Sequence, residues 1–374
     1  MTPHLFQPLT LRGTTARNRA WLAPMCQYSS TDGFVDDWHL VHLASRAVGG
    51  FGLVMSEATA VVPEGRITPH DAGLWTDEHV EPWARVVRAV QGAGALAGVQ
   101  LAHAGRKAST HRPWSPARGS VDPADGGWAT VAPSSVPFDG LAVPHELSAS
   151  DVSAMVDAFA AAAVRADRAG FDVAEIHAAH GYLLHQFLSP LSNHRTDAYG
   201  GTAGNRARFL REVVTAVRDA WPDHKPLLVR LSATDWVEGG LTVEDTAAVA
   251  ADLALLGADL VDVSSGGNVL ADIPVGPGYQ VPLAHRVREV SGLPVSAVGM
   301  VLDGPQAEQV LRDGGVDAVM VGRAALRDPY WVLRAAHELG LPAPVGVPAP
   351  VGVHGDADGG GPLWPAQYLR GTWG

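Results

Sequence analysis

The chain is nearly devoid of cysteine. Cys26 is the single one among 374 residues, which excludes an intramolecular disulfide, a cysteine-based zinc site and a four-cysteine iron–sulfur cluster. Long apolar runs are missing too: no uninterrupted stretch approaches the roughly 20 residues that a membrane-spanning helix needs. Positive charge is scarce, with 27 Lys and Arg against 39 Asp and Glu and a formal net charge of −12. The basic residues are scattered, so the chain carries no electrostatic footprint for nucleic acid or an anionic membrane. The opening residues "MTPHLFQPLTLRG" lack a charged segment followed by an apolar one. No signal peptide is expected, and a cytoplasmic location is.

What is present is an alternation. Hydrophobic residues make up 47% of the chain, and short apolar runs alternate with longer helical patterns, the signature of parallel βα units. The strand candidates are 20–25, 51–61, 95–105, 171–179, 226–232, "ADLVDVSSGG", "PVSAVGMV" and "DAVMVGRAAL". Each is followed by a helical pattern, and that count favours a (β/α)8 TIM barrel over a doubly wound sheet. Residues 5–19 read as a hairpin plugging the bottom of the barrel. After the third strand the rhythm breaks: 106–148 is rich in Pro, Gly and Ser and reads as a loop or small-hairpin excursion. The alternation resumes with a helix over 151–170, for which Asp151 is the candidate N-cap. Residues 1–340 then form a single domain. Residues 341–361, with "PAPVGV" twice in tandem, have the composition of a flexible linker, and 362–374 is a terminal segment that regains aromatics and is expected to dock.

In such a barrel the chemistry sits at the C-terminal ends of the strands. Polar residues interrupt the apolar runs there: Cys26 and Tyr28, Glu57, Gln100 and His103, His177, His180 and Tyr182, Arg230, Ser264 and Ser265. Gly299 and Gly322 end the last two strands, where backbone N–H groups build phosphate sites, and Arg323 adds a cation. Arg230 cannot shed its charge and needs an anionic or electron-rich partner. Together these suit a phosphorylated heterocyclic cofactor lying across the mouth. The block "EIHAAHGYL" (175–183) is open to three readings: a metal site, a piece of core, or a substrate clamp. His39 and His42, a second His-x-x-His in the first helix, are expected to be structural.

The motifs "APMCQYS" (23–29), "EATAV" (57–61), "GVQLAHAGRKA" (98–108), "EIHAAHGYLLHQFLSPLSNHRTDAYGG" (175–201), "NRARF" (205–209) and "VGRAAL" (321–326) resemble those of the Old Yellow Enzyme family, flavin-dependent ene-reductases, in its thermophilic-like branch. The resemblance spans residues 5–340. It implies FMN as cofactor, with Pro24, Met25 and Cys26 flanking the isoalloxazine and Ala58 contacting it through backbone. Gln100 would meet the pyrimidine edge and Arg230 the N1/O2 side, with Gly299, Gly322 and Arg323 on the phosphate. It implies that His177 and His180 hydrogen-bond a substrate carbonyl or nitro oxygen, that Tyr182 protonates Cα, and that Tyr28 lines the substrate pocket. NADPH or NADH would be the reductant, enones and nitroalkenes the substrates, and no resident metal is expected.

In this branch a C-terminal arginine reaches a neighbouring subunit's site. "AQYLRGTW" resembles that segment, making Arg370 the candidate and implying a homodimer or homotetramer. Two rivals stand beside this reading. One is a flavin-dependent quinone, nitro or xenobiotic reductase or a flavin sensor. The other is a metal-dependent barrel hydrolase using the histidine pair.

Overall fold

The computed structural model describes residues 2–342 and 363–373. The strands, in chain order, are β1 (Leu9–Leu11), β2 (Thr14–Ala16), β3 (Ala20–Leu22), β4 (Leu53–Ala60), β5 (Leu96–Ala102), β6 (Val131–Ala132), β7 (His145–Glu146), β8 (Val173–Ala178), β9 (Leu227–Ser232), β10 (Leu260–Ser264), β11 (Val295–Ala297) and β12 (Ala318–Val321). The helices are α1 (Asp37–Val48), α2 (Val80–Gly92), α3 (Ala149–Arg168), α4 (Leu183–Leu188), α5 (Ala203–Arg206), α6 (Arg208–Ala220), α7 (Val243–Leu255), α8 (Val281–Ser291), α9 (Gly304–Asp313), α10 (Arg323–Arg327) and α11 (Trp331–Glu338). Eight strands, β3–β5 and β8–β12, close into a parallel barrel, with Val319 in register with Ala20 at the seam. The (β/α)8 expectation is met.

The period-two alternation of each strand divides its residues between two environments. Val54, Val99, Ile176, Val229 and Val261 face outward into the layer shared with the helices. Leu53, Val173, Leu228, Leu260 and Met320 face inward, and Leu9, Leu11 and Ala16 of the β1–β2 hairpin pack under them. The hairpin therefore closes the bottom as expected, pinned by Arg12 Nε at 2.6 Å from Asp259 Oδ1.

One step up, the inward positions turn polar. Three neighbouring strands repeat the same grammar: Val173, Glu175, His177 on β8; Leu228, Arg230, Ser232 on β9; Leu260, Asp262, Ser264 on β10. An apolar floor carries an ionic layer, and the ionic layer carries the mouth.

One local expectation differs, and the excursion proves to be mainly loops, with an isolated antiparallel bridge between Thr110 and Ser120. The N-cap of α3 is Ser148, not Asp151. The Ser148 hydroxyl accepts from the Asp151 N–H, and the Asp151 carboxylate takes the Ser148 N–H in return, so Asp151 occupies the third helical position of a capping box. In the excursion, β6 and β7 pair in parallel. Parallel strands cannot be joined by a tight turn, so the pairing is not a hairpin; residues 133–144 loop around to bring β7 alongside. The expected linker 341–361 lies outside the described residues apart from Leu341 and Pro342.

Candidate active site

The turn from β8 into α4 carries the histidine–tyrosine block. His180 and Gly181 both adopt left-handed backbone, φ +58° and +70°. A non-glycine residue there costs of order 1–3 kcal/mol and persists only when its surroundings over-determine it. They do. His180 N–H donates to Ser232 Oγ at 2.9 Å, Lys107 Nζ to the His180 carbonyl at 2.9 Å, and Gly181 N–H to His185 Nδ1 at 2.9 Å. His185 is itself held by Asp235, with Nε2 3.0 Å from Oδ1 and neither side chain exposed. Gly181 is obligatory, because a Cβ there would collide with the Gly267 carbonyl.

The rings that result face one another. His180 Nδ1 lies 3.3 Å from His177 Nε2, and the Tyr182 ring meets His177 edge-on at 5.0 Å between centroids. His180 Nε2 lies 2.7 Å from Ser264 Oγ. His177 Nδ1 accepts from the Ala179 N–H at 3.3 Å, so the neutral ring carries its proton on Nε2, toward His180. Burial pushes both imidazoles well below their usual range, with the Arg230 charge adding to it; both are neutral near pH 7. Burial holds the Tyr182 phenol well above its usual range. Lys107, brought down to about 8 by burial and by Arg106, sits 5.2 Å from the Tyr182 ring.

Pro24, Met25, Cys26 and Tyr28 lie on the segment after β3. Its course is fixed by the Gln27 N–H donating to Glu57 Oε2 at 2.9 Å. Glu57 lies in a β4 bulge, between Met55 and Ala58, and its other oxygen is 3.0 Å from His39 Nε2. His39 also caps α1 with Asp36, so its structural expectation holds: it ties the first helix to the bulge under the Cys26 segment. Burial raises the Cys26 thiol, helped by the charges of Asp71 and Glu57. Tyr28 packs edge-on to Trp114 of the excursion, 5.8 Å between centroids. Ala58 is buried at the rim.

Beneath the mouth lies the ionic layer. Gln100 Nε2 donates to Glu175 Oε1 at 2.6 Å, Arg230 Nε lies 2.9 Å from Asp262 Oδ2, and Ser296 Oγ donates to Asp262 Oδ1 at 2.8 Å. At the ends of the last strands, Gly299 has φ +131°, and a Cβ there would press on Gln280 and Tyr279 at 3.0 and 3.1 Å. At Gly322 a Cβ would meet nothing nearer than Met25 Sδ at 3.8 Å, so the backbone there is open to the mouth. Arg323 opens α10 close enough for its charge to act on Tyr279.

All the candidates on β3–β12 and the turns after them thus converge on one end of the barrel. Arg370 does not join them. Its segment lies on the outer face of its own chain, where Tyr368 Oη is 3.4 Å from Tyr330 Oη and Trp373 stacks on His337 at 5.2 Å, and Arg370 is exposed. Among the described residues no group of three or more His, Cys, Asp or Glu is placed to hold a metal ion, and no helix is long and apolar enough to cross a membrane. Sequence reading passed over Glu175, Asp262, Lys107, Asp71 and the His185–Asp235 pair. Glu175 and Asp262 had a usable signal, being charged residues at inward positions of otherwise apolar strands. Lys107 and the His185–Asp235 pair had none, since their partners lie far off in sequence; Asp71 is held by its near neighbours Ile67 and Thr68, which says nothing of its place at the mouth.

The chain's likenesses agree with this geometry. A model of the NADH:flavin oxidoreductase / NADH oxidase family matches residues 4–341. An NADPH dehydrogenase of Bacillus subtilis (strain 168) is 47% identical over 350 residues, 92% of this chain and 98% of the relative. One of Geobacillus thermodenitrificans (strain NG80-2) is 48% identical with the same coverage. Among solved structures, morphinone reductase superposes with a TM-score of 0.76 at 29% identity, covering 90% of each chain. An old yellow enzyme homologue from Zymomonas mobilis gives 0.75 at 29%, covering 90% of this chain and 93% of its own.

Proposed function

This chain belongs to the NADH:flavin oxidoreductase / NADH oxidase family and is an NAD(P)H-dependent FMN oxidoreductase; from that premise we propose that its acceptor is an alkene activated by a carbonyl or nitro group. The single observation that carries the proposal is the pair of neutral imidazoles, buried His177 and half-buried His180, whose facing nitrogens lie 3.3 Å apart beside a phenol. Such a pair suits an oxygen that gains negative charge as its conjugated partner carbon is attacked.

The residues of the mouth fit FMN. Gly322 leaves backbone open toward Met25 and Gly299 tolerates no side chain, as close approach of a phosphate requires. Arg230 supplies a fixed buried cation where a reduced flavin would collect charge, and Arg230 and Glu175 each retain a buried polar atom without an aligned hydrogen-bond partner. Pro24, Met25, Cys26 and Ala58 would line one side and Gln100 the polar edge. When bound, FMN supplies hydride acceptance from the nicotinamide and hydride delivery to the substrate Cβ.

The protein's part is orientation, polarisation and a proton. His177 would donate from Nε2 and His180 from Nδ1 to the substrate oxygen. The Ser264 hydroxyl can turn to donate to His180 Nε2 and so keep the proton on Nδ1. Because burial keeps both rings neutral, neither delivers a proton, and that task falls to the Tyr182 phenol at Cα. Tyr28 and Trp114 would bound the substrate on the far side. Arg370, exposed on its own chain, would serve a neighbouring copy in a homodimer or homotetramer.

The test is an anaerobic absorbance spectrum, taken before and after NADPH and again after cyclohexenone. Bleaching of the flavin band by NADPH and its return with enone are expected. Bleaching without return would leave the flavin and remove the alkene as acceptor.

A further inference from the structure

Glu175, on the inner face of β8 beneath the mouth, has no part in the hydride and proton transfers described above. It is wholly buried. Its Oε1 accepts from Gln100 Nε2 at 2.6 Å, whereas its Oε2 has no hydrogen-bond partner. The charged groups facing it are Asp262 of β10 and Arg230 of β9, with the neutral His177 two residues along its own strand. Arg230 is already 2.9 Å from Asp262, and Asp262 also accepts from Ser296. The layer therefore holds one cation and two carboxyl groups. If both carboxyls ionised, one negative charge would stay buried and uncompensated, at a cost of several kcal/mol. Asp262, with the Arg230 cation 2.9 Å from one oxygen and the Ser296 hydroxyl on the other, is the group that ionises. Glu175, with one neutral donor and a bare oxygen, keeps its proton.

We propose that Glu175 is a buried carboxylic acid whose proton is coupled to the redox state of the flavin, so that its neutrality keeps the Arg230–Asp262 layer from carrying a net negative charge that would oppose reduction. The inference rests on the placement of FMN above Gln100 and Arg230. Glu175 touches neither substrate nor reacting atoms in this account; it acts through those two neighbours. Hydride from the nicotinamide brings two electrons and one proton and leaves one negative charge on the flavin. Where Glu175 is ionised in the oxidised enzyme, that new charge draws one further proton from solvent onto its carboxylate. On reoxidation by the alkene, hydride leaves for Cβ and Glu175 returns its proton to solvent, so the overall reaction still balances. Burial and the Asp262 charge, opposed by Arg230 and Gln100, push Glu175 up to about 8. A nearby anion raises a carboxyl further, so the extra proton is taken up above about pH 8.

The experiment is potentiometric titration of the FMN-loaded enzyme from pH 7 to 10, for wild type, Glu175→Gln and Asp262→Asn. Wild type should pass from one proton per two electrons to two as the pH rises through 8, while Glu175→Gln stays at one throughout. Asp262→Asn removes the anion that holds Glu175 protonated, so its two-proton region should begin at lower pH. Asp71, another buried carboxyl raised to about 7, is checked by Asp71→Asn, which should retain the wild-type steepening. A wild-type slope of one proton at every pH, or a steepening kept by Glu175→Gln, overturns the proposal even though the flavin binds and is reduced. Failure to bind FMN, or to be reduced by NADPH, would instead count against the function proposed above. Should Glu175→Gln not fold, the wild-type slope and the Asp262→Asn displacement decide it.

Discussion

Replacing Ser264 by alanine tests the logic of the histidine pair more sharply than removing either histidine. His177 is fixed as a donor from Nε2 by the Ala179 N–H on its other nitrogen. His180 has no such backbone partner: its Nε2 meets only the Ser264 hydroxyl, at 2.7 Å. If that hydroxyl donates, His180 Nδ1 keeps its proton and both rings donate to the substrate oxygen. Without it, His180 Nδ1 is free to be the bare nitrogen that accepts from His177 across 3.3 Å, and the pair turns inward. The site then loses one hydrogen bond to a developing anion, about 1.5–3 kcal/mol, which corresponds to about 10–150-fold in rate at 1.4 kcal/mol per decade. His180→Ala, which removes the donor altogether, should cost about 10²–10³-fold. Rapid mixing of pre-reduced enzyme with saturating enone gives both numbers. An S264A enzyme that reoxidises at the wild-type rate while H180A is slowed would refute the assignment of Ser264 as the group that sets the tautomer.

Four further outcomes follow from the same geometry. Tyr182→Phe should slow reoxidation by enone about 10²–10⁴-fold and leave reduction by NADPH within a few-fold of wild type, read by single-turnover absorbance. Asp235→Ala breaks a fully buried pair with His185 and strands Ser189 Oγ and the Leu241 N–H as well; urea denaturation at pH 7 should show a loss of about 3–5 kcal/mol. Because its partners hold the Asp235 carboxyl below its ordinary value, that contribution is complete above about pH 4 and fades as pH falls through the folded value, so the two proteins should converge in acid. Gly181→Ala combines a left-handed φ of +70° with a carbonyl in the way; a stability loss of at least about 1–3 kcal/mol and a disproportionate fall in enone turnover are expected, because His180 and Tyr182 flank it. Arg370→Ala should lower activity only where chains associate, and an unchanged enone KM at all protein concentrations would remove Arg370 from the site.

The barrel was legible because each strand is short, apolar and set between helical patterns, and parallel strands buried on both faces advertise themselves that way. The mouth residues were legible as interruptions of those runs: Arg230 inside "LLVRLS" and His177 at the end of "VAEIHA". Less local features were misjudged or missed. Asp151 looked like a cap because cap and third-position residues draw on the same polar types, and only the hydrogen-bond directions separate Ser148 from it. The parallel pairing inside the excursion was not legible, because its strands are two residues long and carry no register information.

The sequence by itself determined which residues face inward, because alternation along a strand is a property of the backbone. It thereby determined that Glu175 and His177 share a face, as do Arg230 and Ser232. Which inward group meets which was decided only by closure of the barrel and the stagger of its strands. That closure sets Glu175 against Gln100, 75 residues away, Arg230 against Asp262, and His180 against Ser264, 84 residues away. Charge states, tautomers and proton stores depend on those pairings, since burial and partner charge exist only once the strands are assembled.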